Sequence, residues 1–87
     1  MFKSVNAVYR VDWTEYERGW GQRPDGSSLH PNIEEAKKAI KEHWDREKER
    51  NPSGRTPDWY VKPGKPYMVE VDAVTYRKVV SEGTVWV

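Results

Sequence analysis

The chain has 87 residues, 33% of them charged, and its 15 basic and 14 acidic side chains leave a formal net charge of +1. This length predicts a single domain over residues 1–87. The balanced charge excludes a protein that holds nucleic acid by charge alone, and also an acidic mimic of nucleic acid. The absence of cysteine excludes a disulfide framework, a thiolate zinc site and a cysteine nucleophile.

No apolar run approaches the ~20 residues that a membrane span needs. The first residues, Met1 to Ser4, are too short and polar to open a secretory signal. The sequence therefore predicts a cytoplasmic protein with no membrane partner.

Valine and aromatic residues dominate the apolar part of the composition, with five Trp, five Tyr and one Phe. These residue types suit pleated, half-buried surfaces, so the core is predicted to be largely sheet. Five Trp exceed what a minimal core needs. We therefore expect some of the rings at the surface, where they mark binding sites.

Residues 5–17 are predicted to form the first strand, because apolar and polar residues alternate with a period of two and indicate one buried face. The predicted buried set is Ala7, Tyr9, Val11 and Trp13. Tyr16 falls on the other face, which predicts a bulge near Thr14 or Glu15.

Residues 18–27 are predicted to form a loop, because three Gly and one Pro occur in ten residues. Within this loop Pro24-Asp25-Gly26 is typical of a turn. Residues 28–30 are predicted to form a short extended segment.

A helix is predicted over 33–50. Asn32 is a favourable N-cap, and Glu35 stands at the capping-box position three residues on. Apolar residues recur at spacings of three and four, which predicts one inner stripe. The stripe contains Ile33, Ala36, Ile40, His43 or Trp44, and Glu47. The stretch from Asn51 to Gly54 is predicted to end the helix.

The remaining elements are shorter. Residues 59–61 and 67–71 are predicted to be strands, the second with Tyr67, Val69 and Val71 on one face. Asp72 is predicted to cap a short helix over 73–81, although its β-branched residues also permit a strand. Residues 84–87 close the chain as a strand, which ties the terminus into the sheet if it pairs with the first strand. The predicted fold class is therefore α+β, with a small, mainly antiparallel sheet packed against one main helix.

The stretch from Glu17 to Gly26 is the first candidate site. Arg18 and Arg23 flank Trp20, which stands between two glycines. Glycine lets backbone N–H groups approach a ligand, Arg binds phosphate or carboxylate with two donors, and Trp offers a stacking face. This pattern predicts recognition of a nucleotide, a nucleic-acid base or a protein. The alternative is an ordered loop whose Trp20 folds back on the core. The glycine spacing fits neither a dinucleotide fingerprint nor a P-loop.

Trp59 and Tyr60 form the second candidate site, because nearby basic residues can surround them. Basic residues interleaved with aromatic rings bind single-stranded nucleic acid. The acidic Asp58 beside them weakens this interpretation. The basic residues are Arg50, Arg55, Lys62 and Lys65.

Catalytic and metal sites find little support in the sequence. His43 and Glu47 are four apart on the predicted helix and can share a metal, but a site needs three or four ligands and His30 is the other imidazole. Ser27 and Ser28 lie near His30, yet residues so close in sequence rarely adopt triad geometry. We therefore predict neither catalysis, nor a metal, nor a cofactor.

In its small size, lack of cysteine, many aromatic residues and single α+β domain, the chain resembles small phage accessory proteins, including counter-defence proteins of the anti-CRISPR type. The segment from Glu17 to Gly26, followed by a capped helix, shares this resemblance. The resemblance implies a protein of the host cytoplasm that blocks a host defence complex by binding it.

The sequence thus favours a non-enzymatic inhibitor that binds a host protein through Arg18, Trp20, Arg23, Trp59 and Tyr60, because interface centres are rich in Trp, Tyr and Arg. The alternative is a protein that binds a nucleotide, such as a signalling nucleotide, or single-stranded nucleic acid through residues 17–26. A homodimer stays open as well, because an exposed edge strand or aromatic patch can form one.

Overall fold

A computed structural model of the chain describes residues 6–52 and 57–87. These residues form a five-stranded antiparallel sheet and two helices, which confirms the predicted α+β class. In chain order the elements are β1 (Ala7–Glu17), β2 (Gly21–His30), α1 (Ile33–Arg50), β3 (Trp59–Pro63), β4 (Tyr67–Glu70), α2 (Ala73–Glu82) and β5 (Val85–Trp86).

The long strand β1 organises the sheet. One of its edges pairs with β2, which in turn pairs with β5. The other edge pairs with two short strands placed end to end, β4 along residues 7–10 and β3 along residues 13–17. Between these two strands the Gly64 N–H donates to the Asp12 carbonyl at 2.8 Å, so the edge of β1 stays bonded where the strands change.

The two helices lie against opposite faces of the sheet. On one face Val11 and Trp13 pack with Ala36 of α1. On the other face Val8 packs with Leu29, Val79 of α2 and Val85. The prediction of a single buried face in β1 is therefore wrong, because alternate residues of the strand supply two separate cores.

Helix α1 has the predicted bounds, and α2 begins at the predicted residue but ends at Glu82, one residue beyond the predicted end. The Asn32 side chain accepts a hydrogen bond from the Glu35 N–H at 2.9 Å at the start of α1. Asp72 caps α2 in the same way through the Thr75 N–H at 2.9 Å, which resolves the helix-or-strand alternative for residues 73–81 as a helix. In α1 the buried residues are Ala36 and His43, whereas Trp44 is partly exposed. Of the two residues that the sequence leaves open for the inner stripe, His43 or Trp44, the structure buries His43.

The predicted loop 18–27 is largely a strand. Strand β2 begins at Gly21 and pairs with β1 through a short turn, and the predicted Pro24-Asp25-Gly26 turn is instead a shift in register. Thr14 pairs with Pro24 while Trp13 pairs with Gly26, so Asp25 is the extra residue of a bulge. Pairing with β1 stabilises β2 even though its composition favours a loop. The closing strand β5 pairs with β2 and not with β1.

Two further predictions fall partly outside the described residues. Val5, the first residue of the predicted strand 5–17, lies outside them, and so do Ser53 and Gly54 at the end of the predicted stop signal. Within the described residues α1 ends at Arg50, and the Asn51 N–H donates to the Glu47 carbonyl at 2.9 Å.

Candidate functional site

Beyond the bulge, β1, β2 and β3 continue as a three-stranded projection, which we call the arm and define as residues 14–24 and 57–63. Only Val61 of the arm packs against the core clusters of the described residues. The molecule measures 54 Å along its longest axis and 24 and 18 Å along the others. The arm therefore projects one end of the sheet away from the packed body.

A tight turn forms the tip of the arm. The Trp20 N–H donates to the Glu17 carbonyl at 3.0 Å, and Gly19 and Gly21 have φ angles of 84° and 83°. Glycine adopts these left-handed angles with little strain, whereas a residue with a Cβ does so rarely. The two glycines thus fix the turn that holds Arg18 and Trp20 at its outer side.

All five predicted site residues lie on the arm. The register pairs Trp59 with Glu17 and Tyr60 with Tyr16, which brings the second candidate site beside the first. Arg18 also joins the two segments, because its N–H donates to the Asp58 carbonyl at 2.8 Å. The residues brought together are Arg18, Trp20, Arg23, Trp59 and Tyr60.

The arm has two faces of different chemistry. The tyrosine face carries Tyr16 and Tyr60, whose rings stack with centroids 5.1 Å apart and planes 10° apart. The opposite, glutamate face carries Glu15, Arg23 and Trp59. The predicted site is therefore divided between two surfaces.

On the glutamate face an ion pair joins β1 to β2. Arg23 donates to Glu15 Oε1 from Nη2 at 2.8 Å and from Nε at 3.2 Å. The bonds from Arg23, followed by one from Trp59, hold the pKa of Glu15 below its usual range. The guanidinium of Arg23 is thus already bound to a carboxylate.

Trp20 does not fold back on the core. It is 83% exposed and borders a small cleft of about 130 Å³ on the glutamate face. Arg18 is likewise exposed, and its Nη1 lies 3.4 Å from Asp58 Oδ1. The tip therefore presents a large apolar ring and a loosely paired cation to solvent.

The described members of the predicted basic patch around Trp59 and Tyr60 lie on different elements. Arg50 pairs with Glu47 on its own helix. Arg55 lies outside the described residues. Lys62 lies opposite Thr14 on the arm, and Lys65 lies in the connection between β3 and β4.

A buried polar network lies in the body, beneath α1. The Trp13 indole N–H donates to Ser28 Oγ at 2.8 Å, and Ser28 Oγ lies 2.8 Å from His30 Nε2. Thr84 Oγ1 lies 3.3 Å from the other ring nitrogen of His30. Burial lowers the pKa of His30, with a smaller opposing effect from Glu35, so the neutral ring is favoured.

Ser28 and His30 lie within hydrogen-bond distance although they are only two residues apart in sequence. Their geometry is that of a nucleophile and its base. However, both residues are 0% exposed, and Ser28 Oγ already accepts from Trp13. No substrate atom can reach the hydroxyl in this conformation, so the pair satisfies buried polar groups of the core.

His43 binds the helix to the sheet. Its Nε2–H donates to the Val61 carbonyl at 2.6 Å, and its ring contacts Trp13 edge-on at 5.0 Å. Among residues 6–52 and 57–87, no group of three or more His, Asp and Glu side chains is arranged to hold a metal ion. A groove of about 400 Å³ runs beside His43 between α1 and the sheet, with acidic and basic side chains mixed along it.

A second polar cluster lies on the face of the sheet that carries α2. The Ser27 hydroxyl donates to Asp12 Oδ1 at 2.6 Å, and the Tyr67 hydroxyl donates to Oδ2 at 2.9 Å. Arg10 completes the cluster with a bond to Asp12 Oδ1 at 2.9 Å. The hydrogen bond from Ser27, followed by those from Arg10 and Tyr67, lowers the pKa of Asp12. The cluster connects β1, β2 and β4.

Sequence reasoning missed two members of the site. The sequence places Tyr16 on the face of the first strand opposite its apolar residues, and on that face its ring stacks with Tyr60. Glu15 gives no signal in the sequence, because its role depends on the register that places Arg23 opposite it.

No helix among residues 6–52 and 57–87 has the length and apolar character to cross a membrane. Comparison with models of protein families, with curated proteins and with solved structures gave no match.

Proposed function

We propose that this protein is a non-enzymatic binding protein that engages a protein partner through the arm. The observation that supports the proposal most is the gathering of five Trp, Tyr and Arg residues on one exposed projection. These three residue types dominate the binding energy of protein interfaces.

Trp20 is the expected centre of the interface. A Trp ring buries roughly 150–250 Å² when it is covered, and Trp20 is 83% exposed in the free protein. The turn holds its backbone in place before binding, so less conformational entropy is lost when the partner covers the ring.

The charges of the arm favour a protein over nucleic acid. The arm has three carboxylates and three basic side chains, so its formal charge is zero. Arg18 and Arg23 each already face a carboxylate. A polyanion would have to displace these partners, whereas a protein surface of mixed charge would not.

Binding of a nucleotide or single-stranded nucleic acid is the alternative function. The stacked rings of Tyr16 and Tyr60 favour it, because aromatic side chains hold bases by stacking. It requires phosphate contacts from Arg18 or Lys62, since Arg23 is bound to Glu15 with two donors.

The further proposal is that binding inhibits a host defence complex. It depends on the resemblance to phage counter-defence proteins alone. A projecting arm suits such a role, because it can enter a cleft of a larger protein while the body stays outside.

The test is a pull-down from the lysate of a bacterial host with the tagged protein and its Trp20→Ala, Arg23→Ala double variant. Each truncated hot spot lowers affinity by about 30-fold or more, so the double variant should lose the partner. The matched control is Val74→Ala, Arg77→Ala on α2, which removes an exposed apolar residue and an exposed arginine away from the arm.

The control variant should recover the partner like the original protein. A double arm variant that recovers it equally well would contradict the proposal. Titration with nucleotides and short oligonucleotides, followed by Trp fluorescence, tests the alternative. Quenching by an oligonucleotide that weakens steeply with salt would favour nucleic acid.

A further inference from the structure

The glutamate face of the arm exposes two tryptophan rings. Trp20 at the tip is 83% exposed, and Trp59 on β3 is 45% exposed. Alternate residues of a strand point to opposite faces, so Glu17, which pairs with Trp59, lies on this face together with Glu15. The face therefore presents two aromatic rings beside two carboxylates.

The two faces of the arm differ in charge. The glutamate face has two carboxylates and one guanidinium, whereas the tyrosine face has one carboxylate and two basic groups. The zero formal charge of the arm is therefore the sum of two faces of opposite charge. The charged residues are Glu15, Glu17 and Arg23 on the glutamate face and Arg18, Asp58 and Lys62 on the tyrosine face.

A third carboxylate extends the negative face towards the body. Asp25, the extra residue of the bulge, lies on the side of the sheet that carries α1, as the glutamate face does. The hydrogen bond with Glu15 raises the pKa of the Arg23 guanidinium most, and the nearby charges of Glu17 and Asp25 raise it further. Within the described residues, neither Glu17 nor Asp25 forms a side-chain hydrogen bond or an ion pair.

The negative charge of this face exceeds its positive charge. Glu15 and Arg23 neutralise each other across a distance of 2.8 Å, so the charges of Glu17 and Asp25 remain. The charged residues of α1 that border the groove beside Asp25 are two acids and two bases, and they leave this excess unchanged. The glutamate face is therefore complementary to a partner of positive charge.

A cleft of about 130 Å³ lies beside Trp20 on this face, bordered also by Glu15, Glu17 and Arg23. Sites for small-molecule ligands measure about 300–1,000 Å³, so this cleft has room for a single side chain. The face of a Trp ring attracts the cation of Lys or Arg more strongly than a Tyr or Phe ring does. Glu17, at the border of the same cleft, supplies a counter-charge.

We propose that the glutamate face docks a basic segment of the protein partner. A Lys or Arg side chain of that segment lies on the ring of Trp20 with Glu17 as its counter-charge, and Asp25 attracts further positive charge along the same face. An acidic segment would be repelled by the same two carboxylates. This inference rests on the proposed function and specifies the chemistry of the partner.

The test is selection of peptides from a random twelve-residue display library on the immobilised protein. The library is selected in parallel on Glu17→Gln, Asp25→Asn, which removes the two charges and keeps the shape of the side chains. Both residues are exposed, so this variant should fold normally. The matched control is Glu49→Gln, Glu82→Gln, which makes the same change of charge at exposed positions of the two helices.

The original protein and the control should enrich peptides with Lys or Arg at shared positions, and the variant of the glutamate face should not. In a synthetic copy of the best peptide, the shared Lys is replaced by norleucine, or the shared Arg by citrulline. This replacement should weaken binding roughly 3- to 30-fold, the combined effect of an exposed cation–π contact and a surface ion pair. It should have little effect on binding to the variant of the glutamate face.

Selected peptides that are neutral or acidic at their shared positions would overturn the inference, and so would a failure to enrich any peptide. Basic peptides that are enriched equally on the variant of the glutamate face, or lost equally on the control, would also contradict it. None of these results depends on the pull-down with the Trp20 and Arg23 variant. A face that rejects basic segments is therefore distinguishable from an arm that binds no protein.

Discussion

The body and the arm of this molecule use the same residue types for opposite purposes. In the body Trp13 is 4% exposed, its indole N–H binds Ser28, and its ring contacts His43 and Trp86. At the end of the arm Trp20 is 83% exposed, and no ring contact to it occurs within the described residues. The comparison teaches that the number of tryptophans alone does not locate a core or a site. The partner of the indole N–H and the surroundings of the ring distinguish the two roles.

The largest expected effect comes from Trp13→Ala. Removing a buried Trp leaves a cavity and costs about 3–5 kcal/mol of the free energy of unfolding. A domain of this kind has only about 5–15 kcal/mol in total, so the variant should be close to unfolded. Urea denaturation followed by circular dichroism measures the change. The matched variant Trp20→Ala should differ from the original protein by no more than about 0.5 kcal/mol. If the two variants lost equal free energy of unfolding, the distinction between the body and the arm would be contradicted.

A medium effect is expected from Ser28→Ala. The change leaves the buried Trp13 indole N–H and one nitrogen of His30 without their shared partner. An unsatisfied buried polar group costs about 1–3 kcal/mol. The control is Ser81→Ala on α2, where the serine is exposed and the same atoms are removed. Stability that is unchanged in Ser28→Ala would indicate that the hydrogen bonds of the network contribute nothing net.

The smallest expected effect is a dependence of stability on pH. Burial lowers the pKa of His30 below its ordinary 6.5, so the unfolded chain takes up a proton before the folded chain does. Stability should therefore be complete above about pH 6.5 and decline as the pH falls towards the lowered pKa. The slope should be at most about 1.4 kcal/mol per pH unit. Denaturation at pH 7.5, 6.5 and 5.5 measures it, above the range in which the carboxylates titrate.

The matched variant for this experiment is His30→Gln, which keeps a polar side chain and removes the titrating ring. Its stability should be nearly flat over the same range. NMR of the His30 ring in the original protein provides a second readout, because its signals should not shift near pH 6.5. A ring that titrates at its ordinary pKa would contradict the effect of burial.

Much of the fold could be predicted because local signals and tertiary packing agree. The caps at Asn32 and Asp72 and the alternation along β1 each indicate an element that the structure contains. The first part of strand β2, residues 21–27, could not be predicted, because its composition favours a loop and the ladder with β1 stabilises it as a strand. The second buried face of β1 was missed for a similar reason. Val8 reads as a residue of the polar face until α2 is known to cover it.

The sequence predicts which residues form the candidate site, but it does not predict which of them share a surface. Arg18, Trp20 and Arg23 are conspicuous in the sequence because glycines surround them. Their relation to Trp59 and Tyr60, about forty residues away, depends on the pairing of β3 with β1. The division into two faces follows from the alternation of side chains along paired strands, and it becomes visible only with the register.

Two prolines at the edges of the arm affect the solubility of the protein. Among the residues that the structure describes, no further strand pairs with the outer edges of the arm segments of β2 and β3, and such edges can join neighbouring molecules into aggregates. Pro24 lies in the arm segment of β2, and Pro63 ends β3. Proline lacks the N–H that a growing ladder requires, so each edge is interrupted where a second arm would add to it. The arm can therefore remain unpaired at high concentration, and contact through its side chains is favoured over addition of a strand.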